Sequence, residues 1–129
     1  MVGCLLITHG QIGRALVEAC EQITGEVRNV FTLSCNGLTP EAIYQQITHL
    51  IEENDLKDGL FILVGLRGGS CWNAGARVVH EYDNVELISG LNLSILLSFL
   101  TKADKYPFHK LGEVMKDDGQ RGIFRLTKI

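Results

Sequence analysis

Short apolar runs alternate with longer amphipathic segments along this chain. The runs are rich in valine, isoleucine and leucine, and the segments between them repeat their apolar positions every three or four residues. The first pattern is typical of strands buried on both faces, and the second of helices with one buried face. We therefore predict strands at residues 2–7, 27–33, 60–66 and 85–89.

The segments between the strands predict helices, and residues at their ends support this. Thr39 and Pro40 are a typical helix start, because threonine caps a helix and proline fits its first turn. Gly25 and Gly119 are typical of helix ends. The predicted helices cover residues 11–24, 40–51, 71–81, 93–100 and 107–117.

This alternation predicts an α/β fold in a single domain over residues 1–129. A four-stranded parallel sheet would be covered by helices on both faces, giving three α/β/α layers. The tail at 122–129, GIFRLTKI, departs from the pattern because apolar and polar residues alternate in it. Such a strand has one solvated face, so we predict that it forms a C-terminal antiparallel edge strand, exchanged with a second subunit in a dimer.

Composition narrows the class of protein. The chain has 129 residues, is 46% hydrophobic and carries a formal net charge of −3, which suits an ordinary folded core. It has no cluster of lysine and arginine, so we expect no nucleic acid partner and no direct membrane contact. Without an apolar run of about 18 residues or a leader peptide, it is expected to be cytoplasmic.

His9 stands where the first predicted strand ends, in Thr8-His9-Gly10. The carboxyl ends of parallel strands are where α/β proteins place their chemistry, and imidazole changes protonation near neutral pH. The other three histidines lie in or near predicted helices. His9 is therefore the candidate catalytic residue, with Thr8 and Gly10 as possible contributors. The alternative is that His9 is only a polar residue in a helix-starting turn.

A second strand-to-helix turn, Arg67-Gly68-Gly69-Ser70, follows the third predicted strand. Free backbone N–H groups at a helix start, together with a hydroxyl, can bind an anion. Because a tight turn needs glycine with or without a ligand, the expected nearness to His9 is what indicates a site. Asn92 follows the fourth strand at the same edge and is either a helix cap or a further contact.

The four cysteines have no paired spacing that would indicate zinc or a disulfide, so we predict small buried thiols and no metal. They are Cys4, Cys20, Cys35 and Cys71. Cys71 is a possible exception, because a helix start beside the candidate site favours a reactive thiolate.

These segments together give the whole chain a resemblance to a known family. It resembles the IIA component of the mannose family of the bacterial phosphoenolpyruvate-dependent sugar phosphotransferase system. The matching segments are Thr8-His9-Gly10, Gly68-Gly69-Ser70 with Asn73 and Ala74, Ser89-Gly90-Leu91-Asn92-Leu93, and the last helix with the turn that precedes the tail.

The resemblance implies a phosphocarrier domain. His9 would accept a phosphoryl group from a phosphohistidine carrier protein and pass it to a IIB partner, without a metal or an organic cofactor. The resemblance also implies a homodimer that exchanges C-terminal strands, with membrane contact only indirectly through a permease complex. The chemistry is consistent with this, since neutral imidazole is nucleophilic and the Gly-Gly-Ser turn could hold the phosphoryl oxygens.

One position departs from the family pattern. Family members usually carry an aspartate that bonds the active histidine, and an aromatic residue two places later; this chain has Gly65 and Arg67 there. Cys71 stands where proline is common. A carboxylate fixes the tautomer of the imidazole and stabilises its charged form, so its loss is expected to weaken transfer. Arg67 adds a positive charge beside the expected phosphate.

Two other functions stay open on the sequence alone. The first is a regulatory protein-binding module of the same fold with weak or no phosphotransfer, which Gly65 favours. The second is a small-ligand binder, because Thr8-x-Gly10-x-x-Gly13 is an incomplete dinucleotide-binding motif that lacks the first glycine.

Overall fold

A computed structural model describes residues 1–128 as parallel strands that alternate with helices. The strands are β1 (Val2–Thr8), β2 (Val30–Ser34), β3 (Gly59–Val64) and β4 (Val85–Ile88). The helices are α1 (Ile12–Thr24), α2 (Pro40–Glu53), α3 (Gly69–Glu81), α4 (Leu93–Lys102) and α5 (Phe108–Arg121). No helix in this part of the chain is long and apolar enough to cross a lipid bilayer.

The strands form one parallel sheet in the order β2-β1-β3-β4. β1 and β3 lie at its centre, and β3 is buried along its whole length. Ile7 of β1 pairs with Val64 of β3, so the two central strands end at nearly the same level. This register brings the turns that follow them to the same edge.

Helices cover both faces of the sheet, which confirms the predicted three-layer α/β/α architecture. On one face a buried cluster joins the sheet to α2 and α3. On the other face a second cluster joins it to α1, α4 and α5. The apolar side chains that define the predicted strands and helix faces are the ones that fill these two cores.

Most elements begin or end one to four residues away from their predicted bounds, and three of these differences have a clear consequence. β2 begins at Val30 and not at 27, because Asn29 has a φ of 60° in the left-handed region, which interrupts an extended chain. β3 ends at Val64, which leaves the next two residues in the turn. α5 continues through Gly119 to its end at Arg121.

Gly119 is a packing residue and not the predicted helix end. A Cβ atom at this position would lie 2.1 Å from Cγ1 of Ile95 on α4. Glycine therefore lets α4 and α5 approach closely. The sequence rule for helix ends fails here because a glycine also serves where two helices pack against each other.

The predicted C-terminal strand is not formed within the described chain. Residues 123–128 have no strand structure, and the last residue of that prediction, Ile129, lies outside the described residues. Three large apolar side chains of the tail are 80–86% exposed; they are Ile123, Phe124 and Leu126. Exposure on this scale fits a segment that packs against another chain, and the exchange stays a prediction.

Candidate functional site

Two turns lie at the same edge of the sheet. One carries His9, and the other is residues 67–70, called here the glycine turn. His9 follows the last residue of β1, and the glycine turn follows β3, which is the neighbouring parallel strand. The turn between β4 and α4 joins this edge, because the N–H of Leu91 donates to the carbonyl of Val64 at 3.1 Å. The structure thus brings together the turns that the sequence singled out.

His9 is exposed and makes no side-chain hydrogen bond or ion pair with residues 1–128. The next residue, Gly10, has a φ of +60°, which favours glycine. Its N–H donates to the side-chain oxygen Oδ1 of Asn36 at 3.1 Å. The imidazole is therefore accessible, and its turn is held by a neighbouring loop.

Thr8 supports this turn from the core. The residue is only 5% exposed, and its hydroxyl oxygen accepts from the N–H of Gly13 at 3.1 Å, in the first turn of α1. A Cβ atom at Gly13 would lie 3.2 Å from that same hydroxyl. The glycines of the incomplete dinucleotide motif therefore serve the turn and the contact between helix and strand, and Thr8 is a structural residue.

The glycine turn presents free polar groups at the start of α3. Gly68 has φ 90° and ψ 171°, and Gly69 has a φ of +82°, conformations that are strained for other residues. The helix has no side-chain cap. The side chains of Arg67 and Ser70 are exposed and form no ion pair or hydrogen bond with described residues. N–H groups, a hydroxyl and a guanidinium are thus all available to an anion.

Cys71 does not have the reactive thiolate that the sequence left open as an exception. It is 8% exposed, and burial, with a smaller contribution from a hydrogen bond to Cys35, raises the pKa of its thiol to about 12. Desolvation outweighs the favourable effect of the helix start. The prediction of buried, unpaired thiols is confirmed for all four cysteines. Residues 1–128 contain no group of three or more histidine, cysteine or acidic side chains placed to bind a metal ion.

Asn92 caps a helix. Its Oδ1 accepts from the N–H of Ile95 at 2.9 Å, and its Nδ2 donates to the carbonyl of Gly119 at 3.0 Å. The oxygen and the nitrogen of the Asn92 amide therefore both form hydrogen bonds within the fold. Of the two interpretations that the sequence left open, the structure supports capping.

Within residues 1–128, no side chain occupies the space beside Gly65, where the resemblance implies an aspartate. A Cβ atom built on Gly65 would have no heavy atom within 4 Å, and the φ of this residue lies outside the left-handed region. The place is open to solvent. A side chain could therefore be added here without steric conflict.

An open groove runs along the outer edge of β4, with a volume of about 400 Å³. Arg67 from the glycine turn and Trp72 from α3 contribute to its lining. The rest of the lining includes Leu87, Ile88, Lys116 and Ile123. The groove follows an unpaired strand edge, where a further strand could be added.

The fold and this edge define a parallel α/β domain with a histidine turn and a glycine turn side by side. The family model described as PTS system fructose IIA component matches residues 3–116. The chain therefore belongs to this family of sugar phosphotransferase system components, as its motifs indicate.

Several known proteins are similar to this chain in sequence or in fold. The chain is 27% identical over 124 residues to the PTS system mannose-specific EIIAB component of Escherichia coli (strain K12), covering 95% of this chain and 38% of that longer protein. It is 28% identical over 106 residues to the PTS system fructose-specific EIIA component of Bacillus subtilis, covering 78% of this chain and 70% of that protein. The crystal structure of phosphotransferase system component EIIA from Streptococcus agalactiae superposes with a TM-score of 0.84 at 21% identity, over 97% of both chains, which supports the fold.

Proposed function

We propose that this chain is the phosphohistidine-bearing IIA component of a sugar phosphotransferase system. His9 accepts a phosphoryl group from a phosphohistidine carrier protein and passes it to a IIB component. One observation carries the proposal: an exposed, unpaired histidine beside a glycine turn at a helix start, on neighbouring parallel strands. Residues 1–129 act as one domain in this proposal.

The chemistry needs only groups that this edge supplies. A ring nitrogen of neutral His9 forms a P–N bond while the P–N bond to the donor histidine breaks, and the donor imidazole leaves. The phosphoryl group needs positioning and charge stabilisation more than covalent assistance. The N–H groups at Gly68 and Gly69 and the hydroxyl of Ser70 are suited to its oxygens, and Arg67 supplies a positive charge.

A homodimer with exchanged tails is part of the proposal. The groove beside β4 and the exposed apolar side chains of the tail are complementary features of the same chain. A tail strand from a second subunit would pair with the outer edge of β4. The Phe124 and Leu126 side chains of that tail would then be covered by the first subunit.

Sedimentation tests the dimer directly. The full chain is expected to sediment as a dimer, and a chain ending at Arg121 as a monomer or an aggregating species. A compact monomer for the full chain would contradict strand exchange.

Intact-mass measurement tests the carrier function. The chain is incubated with phosphoenolpyruvate and the two upstream carrier proteins, and one phosphoryl group is expected to add in an acid-labile form. His9→Ala should abolish the addition. His49→Ala is a matched control, since His49 is exposed on α2 beside Glu53 and away from the site.

The same measurement separates the carrier from the regulatory module that Gly65 favours on the sequence alone. Uptake that depends on His9 supports the carrier. A folded chain that takes up no phosphoryl group contradicts the carrier and supports a binding module of the same fold.

A further inference from the structure

The loop between β2 and α2 holds the His9 turn on both sides. The N–H of Cys35 donates to the carbonyl of Thr8 at 2.9 Å. One residue later, Oδ1 of Asn36 accepts from the N–H of Gly10 at 3.1 Å. The two bonds attach the residues before and after His9 to consecutive residues of one loop.

Asn36 is itself held in a tight turn. The N–H of Leu38 donates to the carbonyl of Cys35 at 3.1 Å, which places Asn36 and Gly37 at the centre of a β-turn. Gly37 has a φ of +72°, as the third position of a type II turn requires. The backbone of the loop therefore aims the Asn36 amide at the His9 turn.

Other side chains near His9 do not hold the backbone of its turn. The Thr8 hydroxyl is used by Gly13 farther along α1. Gln11, which occupies the N-cap position of α1, makes no capping hydrogen bond with its side chain. In the described part of the chain, apart from the two neighbouring residues, no heavy atom lies within 4 Å of a Cβ built on Gly65. Within residues 1–128, the amide of Asn36 is the side-chain group that bonds the backbone next to His9.

We propose that Asn36 is a positioning residue for His9: by accepting from the Gly10 N–H, it fixes the turn that presents the imidazole to the phosphoryl donor. The inference rests on the proposed carrier function. Because this chain lacks the carboxylate that would orient the ring directly, the position of the imidazole depends on its backbone. A displacement of about 1 Å at a reacting group can cost on the order of 100-fold in rate.

Three variants separate positioning from stability. Asn36→Ala removes the acceptor, and Asn36→Asp keeps an acceptor oxygen of similar reach. Asn54→Ala is the matched control, because Asn54 also makes one hydrogen bond to the backbone, to the carbonyl of Leu50 at 3.0 Å at the end of α2.

Phosphorylation of His9 is measured with two donors, the phosphohistidine carrier protein and phosphoramidate, a small P–N donor that needs no docking surface. Asn36→Ala is expected to slow both reactions by about ten-fold or more at saturating donor. Asn36→Asp should restore the rate, and Asn54→Ala should leave it unchanged. Hydrogen exchange of the Gly10 amide should become faster in Asn36→Ala alone.

The outcomes that overturn the inference are distinct. Wild-type rates for Asn36→Ala with both donors would refute it. A loss confined to the carrier protein would mean that Asn36 contacts the partner and does not position His9. If the carrier protein fails to label the wild-type chain while phosphoramidate labels His9, the proposed function fails, and the comparison with phosphoramidate still decides the role of Asn36.

Discussion

Gly65→Asp tests the consequence of the missing carboxylate beside His9. The site can accept the change, because a Cβ atom there meets no heavy atom within 4 Å and the backbone is outside the left-handed region. Exposed substitutions of this kind usually change the free energy of unfolding by about 0.5 kcal/mol or less. The fold should therefore be unaffected, and any change in phosphorylation rate reports on the site.

The expected gain combines two effects. An exposed pair of opposite charges contributes about 1 kcal/mol or less, which corresponds to roughly a five-fold change in an equilibrium. Fixing the orientation of the ring adds a further share, because a positioned acid or base can contribute about 100-fold or more to a proton-transfer step. Even a small share of that second effect, multiplied by the first, exceeds ten-fold, so we expect Gly65→Asp to be phosphorylated roughly ten-fold or more faster than the wild-type chain.

Rapid-quench measurement of the initial rate at saturating carrier protein provides the assay. Gly65→Asn is the matched control, since it has the same shape without the charge, and it should recover only the share that comes from orientation. If the wild-type chain already phosphorylates as fast as Gly65→Asp, another group orients the ring and the reasoning is refuted. Asn36 would then be the first residue to examine.

Three further predictions concern the turn, the helix packing and the pH dependence of stability. Arg67→Ala should lower the yield or lifetime of phospho-His9, measured by intact mass, without changing the melting temperature, because the side chain is exposed. Gly119→Ala should lower the free energy of unfolding in urea by about 1–3 kcal/mol, because the new methyl group would lie 2.1 Å from a side-chain atom of Ile95; an unchanged value would show that α4 and α5 separate without cost. Hydrogen bonds from Lys102, then Ser98, lower the pKa of Asp118 to about 2. This hydrogen-bond network stabilises the fold above the unfolded-state pKa of about 4, and the stabilisation is lost as the pH falls towards 2. Asp118→Asn should therefore weaken the fall of the melting temperature with decreasing pH in this range.

The parts of the fold that follow local chemical rules are predictable from the sequence. Strands β1 and β3 read as apolar runs because they are buried on both faces. Thr39 accepts from the N–H of Ala42 at 3.1 Å, as the predicted start of α2 requires. The nearness of the His9 and glycine turns also follows from sequence, because parallel strands end at one edge.

Features that depend on tertiary contacts could not be predicted in this way. The continuation of α5 past Gly119 depends on the position of Ile95, which lies 24 residues earlier in the sequence. Burial of Cys71 outweighs its place at a helix start and raises the pKa of the thiol. Asn36 followed by Gly37 indicates a turn, and nothing local shows that its amide reaches Gly10.

Transfer of a labelled phosphoryl group through the chain tests the central claim most directly. The chain is labelled by a ³²P-bearing phosphohistidine carrier protein, separated from it and mixed with a IIB component. The account predicts one acid-labile label per chain, located on His9, that moves to the IIB component and is absent in His9→Ala. Label that reaches the IIB component equally well through His9→Ala, or that never enters the wild-type chain, would contradict it.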